Sequence, residues 1–375
     1  MQSYGQSKSA LTSQRLENRL IPITKAGADS GSYQTIYERM KALNVPGVSI
    51  AVFDGGQIRW AKGYGLSDKS QAKPVDTATL FQAASISKPV TTVTTFRLIE
   101  AKTLSLDEDV NQKLRRWKVP ENEYTTKEKV TVRRLVSHMA GLTVHGFAGY
   151  NPADKLPTVE NILNGTPPAN SSPVRVKETP GEKETYSGGG FTVLQLLLED
   201  VTGKSFRALA EEMVLQPVGM KHSTFSLPLP SDKASRAAKG YEETGNMVDG
   251  GYHVYPELAA AGLWSTPSDL ARFMINVSDS YRADKGTLRQ ATVRQMLVKI
   301  PQAGGLGFGV DGSGETLRFR HSGGNAGFSC YAVAFAETGR GVVVMTNSDN
   351  GTSLIHELVR AISREYQWPT MWPKE

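Results

Sequence analysis

Residues 85–102 read SISKPVTTVTTFRLIEAK. Ile86, Val90, Val93, Phe96 and Ile99 recur at mostly helical spacing, so the segment predicts a helix. Pro89 fits only the opening turn of such a helix, where a missing N–H costs little. The helix therefore starts close to Ser85, and Ser85 and Lys88 share one face of it. At a helix start the backbone N–H of a serine has no intrahelical partner, and the helix dipole favours negative charge developing there. A serine hydroxyl is a weak nucleophile until a base takes its proton. A lysine can be that base only if burial or nearby positive charge brings its pKa down from about 10.4. By itself S-x-x-K is a common pattern, and a serine in this place also reads as a plain helix cap.

Two other segments add to it. Tyr186 precedes Ser187-Gly188-Gly189-Gly190, a flexible turn running into a helix. A phenol beside a lysine can shuttle a proton, although a tyrosine packed in a turn reads the same way. His321-Ser322-Gly323-Gly324 comes just before an apolar strand, where glycines permit close backbone approach to a ligand or simply make a hairpin.

Outward from these motifs, the chain begins and ends in strands. Residues 45–53 predict a strand, Asp54-Gly55-Gly56 a turn and 57–64 a return strand. Helices are predicted at 130–138, 191–202 (stopped by Gly203), 205–215 and 268–277. The Pro- and Asn-rich stretch 151–185 predicts a long loop. Strands return at 317–320, 328–336 and 341–346, and a helix at 353–366 closes the pattern. The expected fold class is α/β (α+β): an antiparallel sheet from both termini flanked by helices, with an inserted mainly helical lobe. The expected division is an N-terminal extension at 1–35, a sheet lobe from 36–80 and 300–370, and a helical lobe at 81–299. No internal repeat is found.

Composition narrows the functions. The chain has 375 residues, 39% hydrophobic and 21% charged, with a net charge of +6. The charge comes with no basic run or RNA-binding signature, so no nucleic-acid partner is expected. A single cysteine, Cys330, excludes an intramolecular disulfide and a Cys-rich zinc site. It falls on a presumed edge strand, where a free cysteine reads as buried and inert. The six histidines are scattered, H-E-x-x-H and Walker A motifs are absent, and neither metal nor cofactor is expected. Gly307–Gly312 satisfies G-x-G-x-x-G, but a strand is predicted after it where a dinucleotide site needs a helix. G-x-S-x-G is absent, which speaks against an ordinary α/β-hydrolase. No stretch of 18 apolar residues occurs, so no membrane span is expected. The compartment stays open: periplasmic or secreted if a signal was trimmed, otherwise cytoplasmic.

Taken together, the three motifs make the chain resemble the penicillin-recognising serine hydrolases. These comprise class C β-lactamases, D-Ala-D-Ala carboxypeptidases, D-aminopeptidases and β-lactamase-like esterases. Ser85–Lys88, preceded by Phe81, matches the family's S-x-x-K. Tyr186-Ser187 matches Y-x-N, except that Gly188 stands where asparagine is typical. His321-Ser322-Gly323 matches K/H-T/S-G. Val45–Val52, the 130–142 stretch ending in His138-Met139-Ala140-Gly141-Leu142, Gln216–Met220, Ala261–Ala271 and Gly341–Asn347 also look like the family's segments, in its order over roughly residues 36–365.

The resemblance implies a β-lactamase/transpeptidase-like fold and an acyl-enzyme mechanism on small-molecule substrates (a β-lactam, a D-amino-acid peptide or an ester). Ser85 would be the nucleophile, with Lys88 and Tyr186 the acid–base pair. The N–H groups of Ser85 and Gly324 would form the oxyanion hole. His321, Ser322 and Gly323 would bind substrate, with His321 only partly charged near pH 7. The histidine here resembles the carboxypeptidase side of the family. The glycine at 188 offers no side-chain amide and makes small esters easier substrates. The alternatives are an esterase with little β-lactam turnover and a penicillin-binding sensor that does not turn over. Two loops are candidates for the cleft wall, through His145 and Tyr150 and through His253 and Tyr255; each reads equally as packing. His138 reads as a structural histidine.

Overall fold

The computed structural model describes residues 13–23 and 32–369. Its strands are β1 (Gly47–Asp54), β2 (Gln57–Asp68), β3 (Lys73–Pro74), β4 (Phe81–Gln82), β5 (Trp264–Ser265), β6 (Gly309–Asp311), β7 (Arg318–Asn325), β8 (Phe328–Phe335) and β9 (Arg340–Thr346). Seven of them form one antiparallel sheet in the order β3-β2-β1-β9-β8-β7-β6, and β4 and β5 pair separately. The centre of the sheet joins the two halves of the chain, with β1 against β9 from Val48↔Thr346 to Phe53↔Gly341.

The period of two along these strands divides the core into two layers. Val48, Ile50 and Val52 of β1 and Val342 and Val344 of β9 point to one face. Ala51, Phe53, Val343 and Met345 point to the other. Both faces are covered, so β1 and β9 read as continuous apolar runs rather than alternating ones. The first face is covered by α1 (Ile36–Ala42) and α6 (Gly351–Glu365). The latter lays down Leu354, Ile355, Leu358, Val359 and Ile362 as a helical stripe. Leu16 and Leu20 of the N-terminal extension also pack there, while residues 1–12 and 24–31 of that extension lie outside the described residues. The second face meets α5 (Pro267–Ala283) and the helical region between the strands. That region includes α2 (Ser87–Glu100), α3 (Gly188–Thr202) and the short α4 (Leu258–Ala261).

Helix α2 is buried nearly all round, and its polar residues show how the sequence tolerates this. Thr91, Thr92, Thr94 and Thr95 each donate their hydroxyl to the carbonyl four residues back, at 2.8 to 3.0 Å. A buried hydroxyl without such a partner would be costly.

Several expectations are corrected. Helix α2 begins at Ser87, and Ser85 lies in a 3₁₀ turn, Ala84–Ile86, ahead of it. Stretch 151–185 contains a helix, Val159–Asn164, closed by a Thr158–Asn161 capping box. The helix of 205–215 ends at Ala210 and continues as a π-turn. Cys330 lies on an interior strand, because β8 has β7 and β9 on either side. Gly307–Gly312 contains β6, and a 3₁₀ turn, Gly314–Thr316, follows it before β7, so no helix opens there as a dinucleotide site requires and the expected strand starts later, at Arg318. Among the described residues no helix is long and apolar enough to cross a membrane.

One buried ion pair ties α1 to α6. Arg39 Nε and Nη2 donate to Glu357 Oε2 and Oε1, both at 2.8 Å, and Ile23 N–H adds a bond to Oε1 at 3.2 Å. Removing one partner leaves the other charge buried and unpaired, which costs about 3–5 kcal/mol. Glu357→Ala should therefore lower the midpoint of chemical unfolding markedly, whereas Glu121→Ala, in an exposed pair with Lys129, should leave it nearly unchanged.

Candidate active site

Ser85 sits at the junction of the sheet and the helical region, on a turn held from several sides. Ala83 N–H donates to Leu263 O at 2.8 Å. The Ser87 hydroxyl donates to Ala84 O at 2.6 Å and accepts from Leu263 N–H at 3.0 Å. Ala84 itself has φ of +48°, a left-handed conformation that costs an alanine about 1–3 kcal/mol and persists only where the surroundings over-determine it. Ser85 does not cap α2, which has no side-chain cap. Its hydroxyl is instead in contact with Lys88 Nζ at 2.9 Å.

Lys88 is 2% exposed. Besides Ser85 its amine meets Ala260 O of α4 at 2.9 Å, and it lies 5.0 Å from the ring centre of Tyr186. Burial lowers its pKa to about 7. Burial acts on Tyr186 in the opposite sense and pushes the phenol up to about 12, against a hydrogen bond with Ser85 that lowers it. Near neutrality the proton therefore stays on the tyrosine, while much of the amine is free to accept one.

Tyr186 is positioned by the residues on either side of it. Thr185 N–H donates to His138 O at 2.8 Å, and Ser187 N–H donates to His138 Nδ1 at 3.1 Å. The His138 ring also packs on the Tyr186 ring, 4.2 Å between centres. Burial first, then Lys88, holds the His138 pKa well below its usual value, so this imidazole is neutral and accepts through Nδ1. Nothing local in the sequence points to this role, because the two segments are far apart along the chain.

The start of α3 explains Gly188. Ser187 caps the helix, and the N–H groups of Gly188 and Gly189 donate to His145 O and Val144 O, both at 3.0 Å. A Cβ at 188 would lie 2.9 Å from Phe147 Cε2 and 3.1 Å from His145 O. The loop thereby places the exposed His145 ring beside Tyr186, 4.9 Å between centres.

The third motif lies on β7, whose partner β6 reaches only Arg318–Arg320; His321–Asn325 is a free edge. Gly323 lets this edge approach Ser85, since a Cβ there would lie 2.4 Å from Ala83 O and 2.6 Å from Cys330 Sγ. A Cβ at Gly324 would meet nothing within 4 Å. Part-exposed His321 donates from Nδ1 to Ser322 O at 2.6 Å, leaving its other nitrogen an acceptor. Burial, then Lys88, depresses its pKa to about 3, so the expectation of a partly charged His321 gives way to a neutral ring.

The remaining candidates divide. Part-exposed His253 contacts Ala148 O through Nδ1 at 2.9 Å and lines a separate cavity with Tyr252, Leu258 and Trp264. Tyr150 and Tyr255 are buried: Asn170 N–H donates to the Tyr150 hydroxyl at 3.2 Å and Ala326 N–H to that of Tyr255 at 3.0 Å, and the Tyr150 hydroxyl also faces the buried Glu257 carboxyl. They brace the wall rather than face the opening. The sequence reading also passed over Gln82 and Asn325. Asn325 Nδ2 donates to Gln82 Oε1 at 2.7 Å, and Gln82 Nε2 to His253 O at 2.7 Å, linking the end of β7 to β4 and the 253 loop. Among the described residues no group of three or more His, Cys, Asp and Glu side chains is placed to hold a metal ion.

His138→Ala should strand the Ser187 N–H at a cost of about 1–3 kcal/mol and lower kcat more than it raises KM. His138→Asn keeps an acceptor and suits the residue's φ of +59°, so it should retain more activity; steady-state kinetics and thermal melts compare the two.

The chain is similar in sequence and fold to several known proteins. The protein flp of Staphylococcus aureus (strain N315) is 25% identical over 343 residues, 88% of this chain. The chain spans 65% of that relative's length. The octameric penicillin-binding protein homologue from Pyrococcus abyssi superposes with a TM-score of 0.72 at 25% identity, covering 89% of this chain and 76% of that one. The D-amino acid amidase from Ochrobactrum anthropi SV3 shares the fold at a TM-score of 0.71 and 22% identity, covering 88% of this chain and 97% of that one. The Beta-lactamase family model matches residues 34–363, most of the chain, and the chain belongs to that family.

Proposed function

We propose that this chain is a serine hydrolase that cleaves small amide, β-lactam or ester substrates through an acyl-enzyme on Ser85. The observation that carries this is the buried Lys88 amine, with its pKa lowered to about 7, at 2.9 Å from the Ser85 hydroxyl. In this reading the sheet segments 36–80 and 300–370 and the mainly helical 81–299 form one catalytic unit with the cleft between them.

Neutral Lys88 takes the Ser85 proton as Oγ bonds to the carbonyl carbon. The N–H groups of Ser85 and Gly324 hold the resulting oxyanion. As it collapses, the bond to the leaving nitrogen or oxygen breaks. Tyr186 gives that atom its phenol proton and recovers one from the Lys88 ammonium. A water then attacks the acyl carbon, its proton passes to the same pair, and Ser85 departs with a proton restored. His321, Ser322 and Gly323 border the substrate on the strand side, and His145 on the helical side.

A second reading, an esterase with little β-lactam turnover, is favoured by Gly188. The space beside it is filled by Phe147 and the His145 backbone, and no side-chain amide is offered there to an acylamido substrate.

Ser85→Ala should abolish covalent labelling by a fluorophosphonate or fluorescent penicillin and lower turnover by at least about 10⁴-fold. Full labelling in that variant would falsify the assignment. A panel of nitrocefin, a short p-nitrophenyl ester and a D-amino-acid p-nitroanilide separates the readings. Turnover of the ester alone supports the esterase, and labelling without turnover of any of them indicates a sensor. In wild type, kcat/KM should rise with pH through a midpoint near 7 as Lys88 loses its proton. A profile flat from pH 5 to 9 would remove Lys88 as the base.

A further inference from the structure

We propose that Glu257 is a positioning residue for Lys88: as an uncharged acid at the start of α4 it leaves the Lys88 amine free to act as base, and as a carboxylate it holds Lys88 in the ammonium form. This rests on the hydrolase reading above and adds a second proton site that regulates it.

Glu257 is fully buried, and neither of its carboxyl oxygens has a hydrogen-bond partner among the described residues. A buried acid in that state calls for an explanation, and the catalytic steps above make no use of it. Its backbone belongs to the active centre. Glu257 O accepts from Ala260 N–H at 3.0 Å and from Ala261 N–H at 2.9 Å, which closes the single turn of α4. The same turn offers Ala260 O to Lys88 and Ala259 O to the Thr91 hydroxyl, each at 2.9 Å. One helical turn spans about 5.4 Å, which puts the carboxyl roughly 10 Å from the amine.

The elements packed around this turn bring one cation towards the carboxyl, and it is Lys88. Tyr150 faces the acid from its loop and Tyr255 from the same segment, with Asp349 acting on Tyr255 from beyond. From α3 comes the neutral Gln195, which accepts from Ala259 N–H at 3.0 Å and donates to Pro256 O at 3.3 Å. Arg207, on the neighbouring Phe206–Ala210 helix, turns instead to Ser226 Oγ at 3.3 Å. Arg97 and Glu100 lie at the far end of α2, against Thr287 and Arg289. The Ala84–Ile86 turn carries no carboxylate or amine. Burial pushes the Glu257 pKa up to about 7, the same range to which burial lowers Lys88. A carboxylate at Glu257 therefore favours the ammonium at Lys88, and the neutral acid favours the free amine. At an effective dielectric of about 20, two unit charges about 10 Å apart move each other's pKa by about one unit.

A Glu257 that only fills space makes a different prediction: its variants would lower the rate at every pH and leave the midpoint where it is. The test follows the rate constant for Ser85 labelling by a fluorophosphonate from about pH 5 to 9. Glu257→Gln should move the midpoint down by about one unit, so that near pH 6 its rate, relative to its own plateau, is about fivefold that of wild type. Glu257→Asp keeps an acid and should stay closer to wild type than Glu257→Gln. A midpoint that is unmoved or raised in Glu257→Gln overturns the proposal and leaves the hydrolase reading standing. No labelling of Ser85 in wild type at any pH overturns both. Thermal melts give a second measurement. An acid whose pKa is higher in the folded state costs stability as pH rises from the ordinary carboxylate range to the folded value. The wild-type melting temperature, relative to that of Glu257→Gln, should therefore fall between about pH 5 and 7 and then level; parallel curves overturn the proposal. Where neither variant folds, infrared difference spectra of wild type read the acid directly. A protonated-carboxyl band lost between about pH 6 and 9 is expected, and its absence overturns the proposal.

Discussion

The removal of one amine from water is the constraint on which the rest of this structure depends. Lys88 is carried on a helix that is enclosed on nearly every side, and burial alone brings its pKa into the neutral range. A free charge in that place would be expensive, and the protein limits the cost with two oxygens, the Ser85 hydroxyl and Ala260 O. The threonines of α2 serve the same end: each hydroxyl bonds within the helix, so a polar sequence occupies an apolar environment with its groups satisfied. Without that enclosure the lysine would be an ordinary surface cation and the serine an ordinary hydroxyl.

Around this centre three chain segments are brought to fixed separations by contacts that leave little room. Gly323 allows the β7 edge to lie against the Ala83–Ala84 backbone, where any side chain would collide. Gly188 and Gly189 allow the 143–147 loop to lie on the first turn of α3. His138, with one backbone oxygen and one ring nitrogen, grips the residues before and after Tyr186. Each device joins segments distant in sequence. The pKa values of Lys88 and Tyr186, moved in opposite directions by the same burial, assign the resting proton to the tyrosine.

The sheet supplies the rigidity. Pairing β1 with β9 closes the two ends of the chain on each other, and both faces of the pair are packed. Burying each valine, isoleucine or leucine there contributes about 1.5–3 kcal/mol. At its far side β6 covers only the first part of β7. The strand is thus held at Arg318–Arg320 and left open from His321 onward, which gives a firm support and a free edge in one element.

Much of this was legible in the sequence, and the boundary is physical. Strands at both ends, helices between them and three short motifs in order depend on local periodicity and turn chemistry, which a sequence carries in itself. Ser85, Lys88 and Tyr186 stood out because nucleophile, base and phenol are types that chemistry requires. The start of α2 was misplaced by two residues because a 3₁₀ turn and a left-handed alanine leave no local signal. The grip of His138 on Tyr186, the burial of Tyr150 and Tyr255 and the neutrality of His321 were beyond it, since each depends on what lies across space. The sequence by itself determined which elements form and which reactive groups are present. Only the tertiary structure decided which groups are desolvated, because burial is a property of the whole assembly of segments, and burial sets the charge of Lys88, Tyr186, His138 and His321.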